Sequence, residues 1–156
     1  MIIDVYTDGS SRGNPGPGGY GIVMRVHGTD YEKTFSRGYR LTTNNRMELL
    51  AVIVALEKLQ TSGHEVHVYS DSKYVVDAVS KGWLQAWVRK GFAGKKNPDL
   101  WRRYLQACKG QRVVFHWIKG HNEHPENERC DAMAVAAATG GAGALAADTV
   151  FENEQD

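Results

Sequence analysis

The sequence predicts an α/β fold with a mixed sheet, on three observations. Five short runs rich in β-branched and aromatic residues are separated by Gly, Pro, Asn, Asp and Ser, which is the signature of strands bounded by turns. The first three runs are joined by turns alone, as in an antiparallel meander. Helical stretches precede the fourth run and separate it from the fifth, so the later strands enter by crossover connections and lie parallel.

The first strand is Ile2-Ile3-Asp4-Val5-Tyr6-Thr7-Asp8, stopped at the turn signal Asp8-Gly9. A turn-rich loop follows, Ser10-Ser11-Arg12-Gly13-Asn14-Pro15-Gly16-Pro17-Gly18-Gly19. Gly16 to Gly21 matches G-x-G-x-x-G, but Ile22-Val23-Met24-Arg25-Val26 behind it alternates like a strand. A dinucleotide site needs a helix there, and no Gly-Lys-Ser/Thr follows to make a phosphate loop. Tyr20 to His27 and Tyr31 to Leu41 are strands two and three, turning at Gly28-Thr29-Asp30. Thr42-Thr43-Asn44-Asn45 supplies capping residues for a helix to about Gln60. That helix is apolar nearly all round from Met47 to Leu59, so it is buried on most sides. Glu65 to Ser70 is the fourth strand and runs into Asp71-Ser72, the cap of a helix over residues 73–80. Pro98-Asp99 opens a helix to about Lys109, and Arg112 to Ile118 is the fifth strand. A polar loop, Lys119 to His124, enters a last helix through Pro125.

The 156 residues suit a single domain, expected over residues 1–140. The Ala/Gly-rich and then acidic stretch 141–156 is expected to be a loosely ordered tail. Hydrophobic residues make up 42% and charged residues 24%, as in ordinary globular proteins. No run approaches the roughly 18 apolar residues of a membrane span, and no signal peptide stands at the N-terminus, so a cytoplasmic location is expected. Cys108 and Cys130 are too few for a disulfide framework and read as free thiols. Three His and a Cys near residue 124 fit no common zinc spacing.

Net charge is +1, but it is unevenly spread. Nine basic residues between Lys81 and Arg112 (Lys81, Arg89, Lys90, Lys95, Lys96, Arg102, Arg103, Lys109, Arg112) face one acid, Asp99. That segment carries +8 and the rest of the chain −7, a distribution that fits a polyanion as well as a solvated helical face. Trp83 and Trp87 stand four residues apart within it, with Phe92 beside the Lys95-Lys96-Asn97 loop. Aromatics interleaved with cations suit nucleic-acid sugars, bases and phosphates. The same tryptophans would also serve a core.

Asp8, Glu48, Asp71 and Asp131 come from two strand ends and two helix starts. In an α/β fold those places can meet at one sheet edge, the edge where such sheets bind ligands. An Asp after a strand also simply closes turns. Clustered carboxylates, however, repel and hold protons unless cations neutralise them. Magnesium and similar hard ions prefer such oxygens and bridge them to phosphates. Two ions roughly 3.5–4 Å apart would serve a phosphoryl displacement.

Five stretches carry a resemblance: Tyr6-Thr7-Asp8-Gly9-Ser10, Gly13 through Gly21, Thr42-Thr43-Asn44-Asn45-Arg46-Met47-Glu48, Ser70-Asp71-Ser72, and Lys119-Gly120-His121 through Asp131. Over roughly residues 1–138 the chain resembles the bacterial type 1 ribonuclease H family. The resemblance implies a ribonuclease H-like fold, a five-stranded mixed sheet flanked by helices. It also implies endonucleolytic hydrolysis of the RNA strand of RNA–DNA hybrids with magnesium or manganese, leaving 5′-phosphate and 3′-hydroxyl ends. Asp8, Glu48, Asp71 and Asp131 would be the metal ligands, Asp8 bridging two ions. His121 would aid proton transfer or product release. Gly9, Ser11, Asn14, Asn44 and Asn45 would face the RNA minor groove, where the 2′-hydroxyl is read. Thr43 and Asn97 would hold a DNA-strand phosphate, and Trp83, Trp87, Lys95 and Lys96 would cradle the DNA backbone.

Two departures accompany the resemblance: Lys73 stands where the family often has a Gln touching RNA, and the basic loop between Phe92 and Trp101 is short. The expected partner is the hybrid alone, with the enzyme a monomer needing no other protein. A nuclease of the same architecture acting on DNA, or a silent hybrid-binding module, are the competing readings. The complete set of four carboxylates speaks against the second.

Overall fold

The computed structural model describes residues 1–119 and 124–155. Its five strands are β1 (Ile2–Ser11), β2 (Gly16–Val26), β3 (Glu32–Thr42), β4 (Glu65–Ser70) and β5 (Arg112–Trp117). They form one sheet in the order β3-β2-β1-β4-β5. β1 pairs antiparallel with β2 and parallel with β4, which is parallel to β5. This is the predicted mixed sheet, with β1 at its centre.

Two strands are longer than their turn residues suggested. β1 continues through Gly9 to Ser11 because Gly18, Gly19 and Tyr20 of β2 keep pairing with it. The parallel ladder with β4 ends at Tyr6–Tyr69, however. Asp8 therefore still projects beyond the carboxyl edge of β4, and Asp71 follows that edge directly.

Helix α1 (Asn44–Glu57) buries Arg46 through Leu56 without interruption, as its all-round apolar pattern requires. Thr43 caps it, its hydroxyl accepting the Arg46 amide hydrogen at 3.2 Å. Val5, Val66 and Val68 are wholly buried in the same core as Leu49, Val52 and Ile53. Each such side chain contributes roughly 1.5–3 kcal/mol on burial. The short helices α2 (Lys73–Ser80) and α3 (Trp83–Arg89) follow β4, and α4 (Pro98–Ala107) adds Leu100, Trp101 and Tyr104 to this core.

Helix α5 (Pro125–Ala138) lies on the other face of the sheet and reaches it through glycine. Gly21 stands opposite Asp8 on β2, and a Cβ there would collide with the Cys130 carbonyl of α5. That close approach carries Asp131, next along the helix, over the end of β1.

The C-terminal stretch is a correction. It does not hang loose: Ala146 bridges to Tyr39, and α6 (Thr149–Glu154) packs against β3 with Phe151 buried. Asp148 is the reason. Its carboxylate accepts from Arg46 Nε at 2.7 Å and Nη2 at 2.8 Å, and from the Thr42 hydroxyl at 2.7 Å. Among the described residues no helix is long and apolar enough to cross a membrane.

Candidate active site and nucleic-acid interface

β1, α1 and the turn after β4 place Asp8, Glu48 and Asp71 in one pocket. Each offers a carboxylate oxygen, and these oxygens lie within 4.8 Å of one another. Gly9 makes the approach possible. Its amide donates to Asp8 Oδ1 at 3.0 Å and to Glu48 Oε1 at 2.6 Å, and any Cβ there would strike the backbone of Met47 and Glu48. A larger residue at position 9 would push the first turn of α1, and Glu48 with it, away from Asp8.

The electrostatics are those of buried acids crowded together. Burial, then the charges of Asp71 and Asp131, raise the Asp8 carboxyl from its ordinary 3.8 to about 8. Burial, then Asp8 and Asp71, push Glu48 well above its ordinary value. Asp71 Oδ1 is buried and has no hydrogen-bond partner among the described residues. Buried acceptors that go unpaired are costly, and a divalent cation with hard oxygen ligands relieves that cost. Asp131 bears on Asp8 but stands outside the group of three. His121 lies outside the described residues.

A second feature adjoins this pocket at the start of α1. Asn14, Thr43, Asn45, Lys95, Lys96 and Asn97 line a cavity of about 560 Å³ together with Pro15, Pro98 and three residues of the C-terminal segment. Six residues predicted to touch a hybrid from three separate stretches thus share one wall. Asn14 Oδ1 also accepts the Asn44 amide hydrogen at 3.1 Å, which ties the Gly-rich turn to α1. Ser11 ends β1 opposite Gly18.

The basic and aromatic residues divide. Trp83 is 44% exposed, with Lys81 Nζ 5.4 Å from its ring centroid. Trp87 turns its edge to buried Trp101 at 5.7 Å and carries Lys95 Nζ above its ring at 5.3 Å. It serves the core and the basic surface at once. Lys73 sits 4.8 Å from the ring centroid of Trp117, whose indole N–H donates to the Asp71 carbonyl at 3.2 Å. The departure at position 73 therefore places a cation beside the residue after β4.

Sequence reasoning missed the cluster around Arg46. This guanidinium is 1% exposed and meets Asp99 at 2.7 Å and 3.0 Å as well as Asp148. Burial opposes its charge, but the two carboxylates override that and raise its pKa. Burial likewise pushes Asp99 up, and Arg46 nonetheless holds it below its ordinary value. One signal was present: Asp99 is the single acid in the basic segment.

A five-stranded mixed sheet with a carboxylate pocket at the end of its central strand, flanked by a basic cleft, defines a class of nucleic-acid-processing α/β enzymes. The comparisons narrow it. The RNase H family model matches residues 2–139. The ribonuclease H of Desulforamulus reducens is 55% identical over 141 residues, 87% of each chain. That of Klebsiella pneumoniae is 53% identical over 143 residues, 88% of this chain and 89% of its own. Among solved structures, LC9-RNase H1 superposes with a TM-score of 0.78 at 31% identity, over 99% of this chain and 81% of that one. LC11-RNase H1 in complex with an RNA/DNA hybrid gives 0.65 at 29% identity, over 87% of this chain and 96% of that one. The chain belongs to the ribonuclease H family, enzymes that degrade the RNA of RNA–DNA hybrids. It is accordingly a hydrolase of the endonuclease type.

Proposed function

We propose that the chain cuts the RNA strand of RNA–DNA hybrids endonucleolytically with two divalent cations, magnesium foremost and manganese in its place, leaving 5′-phosphate and 3′-hydroxyl ends. The observation that carries this reading is the carboxylate group of Asp8, Glu48 and Asp71, whose oxygens lie within 4.8 Å of one another, in a chain that also has a cavity lined by Lys95 and Lys96 at the start of the same helix. The donor set is all oxygen, which suits hard cations. Asp8, Glu48, Asp71 and Asp131 would hold the ions. Bound there, the cations supply charge neutralisation and Lewis acidity for in-line displacement at phosphorus.

The rest of the chain positions the hybrid. Gly9, Ser11, Asn14, Asn44 and Asn45 would meet the RNA minor groove with short donors and acceptors, as reading a 2′-hydroxyl requires. Thr43, Asn97, Lys95 and Lys96 would take a phosphate of the DNA strand, and Trp83 and Trp87 its sugars. Lys73 would add a cation on the RNA side, above Trp117. His121 would move a proton or release product, and His121→Ala should slow turnover with folding intact.

A labelled RNA–DNA hybrid incubated with and without magnesium tests the proposal. Magnesium-dependent internal cuts in the RNA strand, with 5′-phosphate ends, are expected. Cleavage of duplex DNA at a comparable rate, or cuts that persist in excess chelator, would overturn it.

A further inference from the structure

The cavity that gathers Thr43, Lys95, Lys96 and Asn97 is closed on one side by the C-terminal segment, through Phe151, Glu154 and Gln155. Glu154 is the one acid lining that cavity among the described residues, which two lysines also line. It is held there by a rigid base. Arg46 lies 5.7 Å over the Phe151 ring and is bonded to Asp148, and Arg40 Nε reaches Glu152 Oε1 at 2.9 Å. Glu152 also accepts the Asp148 amide hydrogen, whereas Glu154 has no such partner among the described residues. An exposed carboxylate without a partner, fixed on the rim of a basic cavity, lowers the potential that the two lysines create there.

We infer that Glu154 is an affinity-setting residue of the phosphate cavity: its charge caps how tightly the enzyme holds the DNA strand, so that hybrids and products leave. The inference rests on the proposed hybrid-binding role of that cavity. It assigns a function to the segment that the sequence presents only as an Ala/Gly-rich run with an acidic end. Phe151 and Gln155 complete the wall, and among the described residues Glu154 alone supplies its negative charge.

Glu154→Gln removes that charge at an exposed side chain and leaves the buried contacts of α6 in place. With chelator present to prevent cleavage, its dissociation constant for a labelled hybrid should fall about two- to fivefold at about 0.01 M salt. The gain should shrink at about 0.15 M, where the screening length drops from roughly 30 Å to roughly 8 Å. In turnover assays the change should appear in KM, with kcat unchanged or lower. Asp30→Asn, the same loss of charge at the β2–β3 turn, should change nothing. Equal or weaker binding by Glu154→Gln, or an equal gain from Asp30→Asn, would overturn the inference. Inorganic phosphate followed by the amide resonances of Thr43 and Asn97 provides an independent readout. Glu154→Gln should bind phosphate more tightly than the parent, and no difference would overturn the inference. A parent protein that binds no hybrid would instead defeat the proposed function, while the phosphate titration would still decide this point.

Discussion

Arg46 and Glu48 are two residues apart on the first turns of α1, and each is the centre of a buried charge cluster. Around Arg46, two carboxylates share one guanidinium, and every contact is a short hydrogen bond. Around Glu48, three carboxylates crowd together, two of them are pushed towards their protonated forms, and among the described residues an Asp71 oxygen has no hydrogen-bond partner. Burial is comparable: Arg46 is 1% and Glu48 5% exposed. The difference lies in compensation: each carboxylate beside Arg46 is hydrogen-bonded to a guanidinium, although the cluster still sums to −1, whereas the acids around Glu48 mainly face one another. Acids that face a cationic side chain serve the fold, and acids that face one another suit a bound cation, which marks a candidate site. Placing both on one helix turn means that the clasp fixes where Glu48 stands.

The comparison breaks most visibly at Asp8. Asp8→Asn should lower hybrid cleavage at least about a thousandfold, about 4 kcal/mol of barrier, while hybrid binding measured in chelator stays within a few-fold of the parent. Full activity in this variant would remove the carboxylate cluster from catalysis. The matching cut in the other cluster acts on stability. Arg46→Met leaves Asp148 and Asp99 facing each other without their cation, and should cost about 3–5 kcal/mol in denaturant unfolding. Replacing all three residues by apolar ones of similar volume should recover most of that loss. A loss below about 1 kcal/mol for Arg46→Met would mean that the clasp is incidental.

The two clusters also differ in what their sequence reveals. The meeting of Asp8, Glu48 and Asp71 was legible because each follows a recognisable element: a strand, a helix cap, a second strand. Topology then had only one edge at which to gather them. The clasp was not legible. Asp148 is one of four acids in the stretch 141–156 and lies 102 residues from Arg46, and no local pattern announces a partnership across that distance. The same blindness made the last residues read as loose. The strand ends at Gly9 and Gly16 were misplaced for a different reason. Glycine signals a turn in the sequence, yet here it lets β1 and β2 stay paired while helices press against them on either side.

Titration separates the clusters next. In the unfolded chain Asp8 ionises near 3.8, whereas in the folded, metal-free protein it keeps its proton to about 8. Between those values the unfolded state binds fewer protons, so this group's contribution to stability declines as pH rises. Glu48 acts in the same direction. In chelator, Asp8→Asn should therefore be more stable than the parent by roughly 1–3 kcal/mol at pH 8, with little difference near pH 4. Thermal unfolding at the two pH values measures it. A gap that stays constant or narrows with rising pH would show that Asp8 is not under this strain. Added magnesium should raise the parent's melting temperature and close the gap from the other side.

The smallest effect is expected where the clusters meet. The Thr43 hydroxyl accepts the Arg46 amide hydrogen and so starts the helix turn that presents Arg46 and Glu48. Thr43→Ala should cost about 1 kcal/mol through the lost cap, and Thr43→Ser should restore it, since serine offers the same oxygen. Thr43 also lines the basic cavity, so the alanine variant should raise KM for the hybrid as well as lower stability, and serine should rescue both. The two readouts come from one residue, through its bond to the helix and its place on the cavity wall. Rescue of stability without rescue of KM would assign the methyl group, rather than the hydroxyl, to substrate contact. Failure to rescue stability would mean that the helix start is fixed by the Arg46 clasp alone, and the coupling between the two clusters would then run through Asp148 and not through the cap.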